Sequence, residues 1–395
     1  MSKKLLLRTL SVALGCLSSV LVAEIGLRMS NIWIGRHSDT MFTIIEHDGA
    51  LGWRMKPNIA ARIDVVDLEG LPVRSNSEGF WDKEFVLQKP PNRTRIVFLG
   101  DSFTWGFGVR EEERFTNRLA SANPQWDTLN FGMPGYGTDQ SLLVWRHLSR
   151  RYQPDLVIMT VFDNDYVDNV SVMRSGRRKP YFELTEGNQL ELKNVPVDDT
   201  NFWDDGTFNQ IALPYTRLFS ESVQKRSRVA HWLAKNSNLA RLIYTVVRSR
   251  SAQTDAEEQP FSPNRKESSD RSAKISGESE LNGRQQVEVR LLEAIVEELA
   301  REVKAAGARF AVVLVGPPSR MYEAQKEMFN RAGVLWLDAT TEVISNNLSN
   351  GARVYYPYSK HWTPEANRVV ADLLNRFIHE RVLMDSTINV PNSLP

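Results

Sequence analysis

Arg95-Ile96-Val97-Phe98-Leu99-Gly100-Asp101-Ser102-Phe103-Thr104-Trp105-Gly106 is an apolar run that stops at a glycine and delivers a serine. A strand ending at Gly100-Asp101-Ser102 places the serine hydroxyl at the carboxyl end of a sheet, where open α/β sheets hold their ligands. Gly100 permits a tight turn. Ser102 then begins the next helix, where outward-pointing backbone N–H groups can hold an oxyanion. By itself the run is equally a strand end with a helix cap. The rest of the chain decides between the two.

Outward from this run, strand and helix patterns alternate. Arg95–Leu99, Thr128–Phe131, Leu156–Val161, Arg309–Val315 and Val334–Leu337 are short apolar runs of the kind that form buried parallel strands. Helices are predicted over Glu113–Ala122, Thr138–Tyr152, Gln286–Ala306, Arg320–Ala332 and Pro364–Arg381. Leu291, Leu292, Ile295, Leu299 and Val303 make a clear apolar stripe on the third of these. Alternating βα units predict a parallel sheet flanked by helices.

This core comprises residues 95–165 and 286–381. Residues 31–94 form a leader of turns and short strands, closed by Lys89-Pro90-Pro91-Asn92. Residues 166–249 read as an insertion with aromatic and helical patches, a possible lid. Residues 250–285 are rich in Ser, Glu, Lys, Arg, Asp and Asn and read as a disordered linker. Residues 382–395 are a tail.

Residues 1–30 read as a membrane signal. Lys3-Lys4 precede an apolar stretch with no charge from Thr9 to Ala23, as in an uncleaved anchor or a secretory signal. Ala13-Leu14-Gly15-Cys16 faintly resembles a lipoprotein cleavage site, although the residues that follow stay apolar. Each reading puts the body of the protein outside the cytoplasm.

In 395 residues, 42% are hydrophobic and 25% charged, enough for a sizeable core. A net charge of +1 and the lack of a basic stripe argue against nucleic acid as a partner. Cys16 is the only cysteine, so no intramolecular disulfide and no multi-cysteine metal site can form. His37, His47, His147, His231, His361 and His379 make no compact ligand cluster. Neither a metal nor a cofactor is expected.

Further segments carry the chemistry. Asn130-Phe131-Gly132-Met133-Pro134-Gly135-Tyr136-Gly137 follows the second strand, where glycines let a backbone N–H approach a substrate. Phe162-Asp163-Asn164-Asp165 follows the third, and the Asn164 amide can donate to an oxyanion. His361-Trp362-Thr363-Pro364-Glu365 precedes the last helix. Thr363 suits its cap and Pro364 its first turn, which leaves His361 in the loop. Singly, each residue has a bland reading as cap, turn or packed side chain. At successive strand ends, in this order, they converge on one site.

These blocks resemble the SGNH (GDSL-type) hydrolase superfamily over about residues 92–381. Gly100-Asp101-Ser102 matches its nucleophile block, Gly135 its oxyanion glycine, Asn164 its oxyanion asparagine and His361 its histidine. Gly52-Trp53-Arg54, Asn76-Ser77-Glu78-Gly79-Phe80 and Pro134-Gly135-Tyr136-Gly137-Thr138-Asp139-Gln140 resemble bacterial members with an N-terminal membrane anchor. The resemblance implies a three-layer α/β/α, flavodoxin-like sandwich. It also implies an ester hydrolase or O-acyltransferase in which His361 takes the proton of Ser102. The N–H groups of Ser102 and Gly135 and the amide of Asn164 would then hold the oxyanion. Asp101 and Asp165 would support the turns. An O-acyl, chiefly acetyl, ester of a cell-envelope or exported glycan is the substrate the family and an exported anchor imply.

The family usually carries an aspartate two or three residues before the histidine, and this chain has Ser359 and Tyr358 there. That aspartate orients the imidazole and stabilises its charged form. Ser359, which carries no charge, or a backbone carbonyl is expected to accept a hydrogen bond from the ring in its place. The gap leaves open a non-catalytic glycan-binding or assembly protein, for which Trp53, Trp81, Trp105, Trp203 and Trp362 offer stacking surfaces. A lysophospholipase or thioesterase is a further alternative.

Overall fold

Strands β5 (Thr94–Leu99), β6 (Trp126–Asn130), β7 (Leu156–Val161), β12 (Arg309–Leu314) and β13 (Leu335–Asp338) form one parallel sheet in the order β13-β12-β7-β5-β6. The computed structural model describes residues 15, 18–26, 43–65, 67–174, 177–199, 283–318, 321–350, 353–357 and 359–383. The helices are α1 (Ser102–Trp105), α2 (Phe115–Ala122), α3 (Thr138–His147), α4 (Asp165–Asn169), α5 (Gly283–Ala305), α6 (Tyr322–Arg331), α7 (Ala339–Asn350) and α8 (Pro364–Phe377).

Strand periodicity divides the core. Val97, Leu99, Val157, Met159, Val312 and Leu314 face one side, where Leu142 and Leu143 of α3 and the Leu292–Val303 stripe of α5 cover them. Ile96, Phe98, Leu156, Ile158, Ala311 and Val313 face the other, against Phe115 of α2, Val343 of α7 and Val370 and Leu374 of α8. The result is a three-layer α/β/α sandwich of flavodoxin-like strand order. Its switch point lies between β5 and β7, the crevice where such sheets bind ligands.

Before the sheet, β1 (Ile45–Asp48) pairs with β2 (Gly52–Met55), and β3 (Ala60–Val65) with β4 (Leu68–Arg74), both antiparallel. The second hairpin shifts register between Ile63 and Val65. Arg95 on β5 ties this leader to the core. Fully buried, it donates to Asp127 at 2.8 Å and to the carbonyls of Leu87, Val86 and Tyr152 at 2.9, 2.9 and 2.7 Å. After α4, β8 (Met173–Arg174) pairs with β9 (Arg177–Arg178), and β10 (Tyr181–Leu184) with β11 (Leu190–Lys193).

Several bounds differ from the sequence-based expectation. The first predicted helix is a 3-10 turn, Glu111–Glu113, followed by α2, because Arg114 is extended between them. Thr138–Tyr152 is α3 followed by a 3-10 turn at Ser149–Tyr152. Phe182 lies on strand β10. Helix α7 is not evident from the pattern at all.

By internal contacts the chain divides into residues 1–38 with 206–272, and residues 39–205 with 273–395. In the first unit, residues 18–26 are helical. Among the described residues no helix is long and apolar enough to cross a membrane. Most of the N-terminal signal, the helical patches after residue 200, the linker up to residue 282, Trp203 and Tyr358 lie outside the described residues.

Candidate active site

Asp101 ends β5 and caps α1, its carboxylate accepting from the Phe103 N–H at 2.9 Å. That bond fixes the turn and sets Ser102 as the first helical residue. Gly100 has φ +149°, and a Cβ there would lie 2.0 Å from Thr160 Oγ1. Only glycine lets β5 pass so close to β7, and the Thr104 and Thr160 hydroxyls then bond at 2.7 Å across the gap.

His361 sits between residues 354 and 363, where Tyr355 bridges Trp362 and the Tyr356 N–H donates to the His361 carbonyl at 2.9 Å. Thr363 caps α8, accepting from Ala366 N–H, with Pro364 at the start of the helix. Phe107 stacks on the imidazole at 4.4 Å, and Phe103 packs on it at 4.9 Å. So placed, His361 Nε2 lies 2.7 Å from Ser102 Oγ. With Ser102 donating to Nε2, the ring proton resides on Nδ1. This is the geometry of a nucleophile and its general base.

Two features of His361 stand out. Its Nδ1 is buried and makes no well-formed hydrogen bond, with the Ser359 backbone as its polar neighbour. Burial also pushes its pKa from 6.5 down to about 4, against the field of Asp67 and a weaker contribution from the Ser359 backbone, both of which raise it. Ser359, expected to accept from the ring, instead accepts from the His361 backbone N–H at 3.3 Å. Ser359 N–H in turn donates to Asp67 at 2.9 Å.

Asn164 lies at the end of β7 as the residue before α4. Its amide donates to Asp168 at 2.6 Å, which occupies one of two N–H bonds, and its Oδ1 is buried without a partner. Asp168 pairs with Arg174 at 2.9 Å. Gly135 follows β6 with φ +80°, beside Trp53 and Arg174; a Cβ would lie 3.4 Å from the Trp53 ring. Arg174 thus links the surroundings of Gly135 to the partner of Asn164. Asp165 accepts from Phe162 N–H at 2.8 Å and holds the β7 turn.

Asp101, Asp139, Asp165 and Asp168 form a set of buried carboxylates that act on one another through their charges. Burial raises Asp101 to about 7 and Asp139 to about 6, and it raises Asp165 and Asp168 as well. Lys179, itself buried, donates to Asp139 and to the Asp168 carbonyl. Asp67, Asp168, Phe107 and Lys179 are residues the sequence did not mark. Only the Asn-x-x-x-Asp spacing of Asn164 and Asp168, one helical turn, offered a signal. Trp53, Trp81, Trp105 and Trp362 are buried and present no stacking surface. Among the described residues no cluster of His, Cys, Asp or Glu could hold a metal.

No family model and no curated relative matches the chain. Among solved structures it is similar to a putative lipolytic protein of the G-D-S-L family from Desulfitobacterium hafniense. That match has 10% identity and a TM-score of 0.36, covering 72% of this chain and 99% of that one. It is also similar to a catalytic mutant of an acetylxylan esterase from Geobacillus stearothermophilus. There the identity is 12% and the TM-score 0.36, covering 74% and 96%. Likenesses this distant say nothing of this chain's substrate.

Proposed function

We propose that the protein is an SGNH-type serine esterase or O-acyltransferase. The observation that carries this reading is the 2.7 Å contact of Ser102 Oγ with His361 Nε2 at the switch point of the sheet. His361 removes the Ser102 proton as Oγ attacks an ester carbonyl, and then protonates the leaving alcohol. The N–H groups of Ser102 and Gly135 and the second N–H of Asn164 hold the oxyanion. Water as acceptor completes hydrolysis; a sugar hydroxyl completes transfer.

In this reading the acyl group is an acetyl. Among the described residues the crevice lined by Ser102, Phe103, Phe107, His361 and Trp362 encloses essentially no free volume. The apolar segment Thr9–Ala23 is proposed as a membrane anchor, with the catalytic body outside the cytoplasm and an O-acetylated envelope or exported glycan as substrate. In the test, Ser102→Ala lowers kcat on p-nitrophenyl acetate by roughly 10⁴-fold or more; full activity in that variant would overturn the proposal.

The lack of a well-formed hydrogen bond or a carboxylate at His361 Nδ1 favours a second reading, a glycan-binding protein that keeps the fold without the chemistry. A fluorophosphonate separates the two. Labelling of Ser102 supports the enzyme, and no labelling with glycan binding intact supports the second reading.

A further inference from the structure

His361 lacks the aspartate expected shortly before it in sequence, yet a carboxylate reaches its loop from elsewhere. Asp67 lies in the turn between β3 and β4, outside the α/β core. The register shift at Ile63 and Val65 ends the regular pairing just before this turn. Such irregularities re-aim the residues beyond them. Asp67 Oδ2 accepts the Ser359 N–H at 2.9 Å, and Ser359 Oγ accepts the His361 N–H at 3.3 Å. Two bonds therefore run from the hairpin to the backbone of the general base.

They hold a loop that needs holding. Lys360, between the two bonded residues, has φ +61°, a left-handed conformation that costs a non-glycine residue energy and persists only where its surroundings enforce it. The groups around the ring are otherwise uncharged or turned elsewhere. Ser102 and Phe103 face it from α1, and Phe107 from the turn that follows. The Tyr356 hydroxyl donates to the Gly108 carbonyl, and the Lys360 ammonium to the Pro357 carbonyl. Asp67 supplies the negative field that acts on His361.

We propose that Asp67 is the acid of this site, a positioning residue that fixes the His361 loop and opposes the positive charge formed on the imidazole during catalysis. The proposal rests on Ser102 and His361 being nucleophile and base. The acid then comes from the leader rather than from the segment that carries the histidine. A triad carboxylate bonds the ring directly; here the carboxylate acts through Ser359 on the loop and through its field on the ring.

The test compares wild type, Asp67→Asn, Asp67→Asn with Ser359→Asp, and Ser102→Ala on p-nitrophenyl acetate across pH. Asp67→Asn is expected to lower kcat roughly tenfold or more, with KM within about twofold and the acid limb of kcat/KM moved to lower pH. The limb moves down because a lost negative charge no longer favours the imidazolium. Ser359→Asp, which restores a carboxylate two residues before His361, is expected to recover most of the loss. Wild-type kcat in Asp67→Asn overturns the proposal, as does a lowered kcat with an unmoved acid limb, the mark of a purely structural role. If Asp67→Asn does not fold, Asp67→Ser decides. It keeps an oxygen for the Ser359 N–H and removes the charge, so kcat falls with the acid limb moved to lower pH, and an unmoved limb overturns the proposal. Activity surviving in Ser102→Ala refutes the underlying site instead, whatever Asp67 does.

Discussion

A histidine held neutral is a base that works in acid. With its pKa pushed to about 4 by burial, His361 stays unprotonated well below the ordinary 6.5. The acid limb of kcat/KM is therefore expected near pH 4 rather than near 6.5, and a limb at the ordinary histidine value would contradict the buried environment. Ser102 and His361 were legible in the sequence because each sits in a short block whose local role, strand end or helix start, fixes its place on the sheet. Asp67 was not, because an aspartate in a hairpin turn looks like any other turn residue. Its meaning comes from a contact 292 residues along the chain. The expected ring acceptor at Ser359 failed for a local reason: the bend of its loop aims the hydroxyl at the His361 backbone.

At the scale of elements, β5 carries the most consequence. Gly100→Ala combines an unfavourable φ of +149° with a Cβ 2.0 Å from Thr160 Oγ1. A loss of about 2–4 kcal/mol is expected, read as a lower urea midpoint. Arg95→Met leaves Asp127 with Lys83 as its remaining charged donor and the carbonyls of Val86, Leu87 and Tyr152 short of theirs. Buried carbonyls left unsatisfied in this way cost about 1–3 kcal/mol each, and a midpoint within error of wild type would show that the leader is held by other contacts. Strands β5, β7 and most of β12 were readable because each is a short run buried on both faces, while β13, half-buried at the sheet edge, was readable from its apolar residues alone. Helix α7 was not. Thr340, Thr341, Val343 and Ile344 are β-branched, and Ser345, Asn346 and Asn347 follow, so packing of Val343 on the sheet rather than propensity makes the helix.

For the molecule as a whole, the buried titrating groups set an unusual response to pH. Asp101 at about 7 and Asp139 at about 6 bind protons in the folded state that the unfolded chain, at 3.8, has released. Their contribution is complete below pH 3.8 and fades as pH rises through 6 and 7. His361 works oppositely: its contribution is present above 6.5 and fades as pH falls toward 4. Between pH 5 and 7 the carboxylates outnumber the histidine, so stability falls with rising pH by on the order of 1 kcal/mol per unit. Thermal melts at pH 5, 6 and 7 are expected to show a descending midpoint, and an ascending one would mean the buried carboxylates are ionised.

The long span of the site has a consequence for biosynthesis. Asp67 and Ser102 leave the ribosome early, but their partners Ser359 and His361 come 292 and 259 residues later. At about 5–20 residues per second, the serine waits roughly 13–50 s for its base. The Ser102–His361 pair is therefore completed only after all five strands of the parallel sheet have been made.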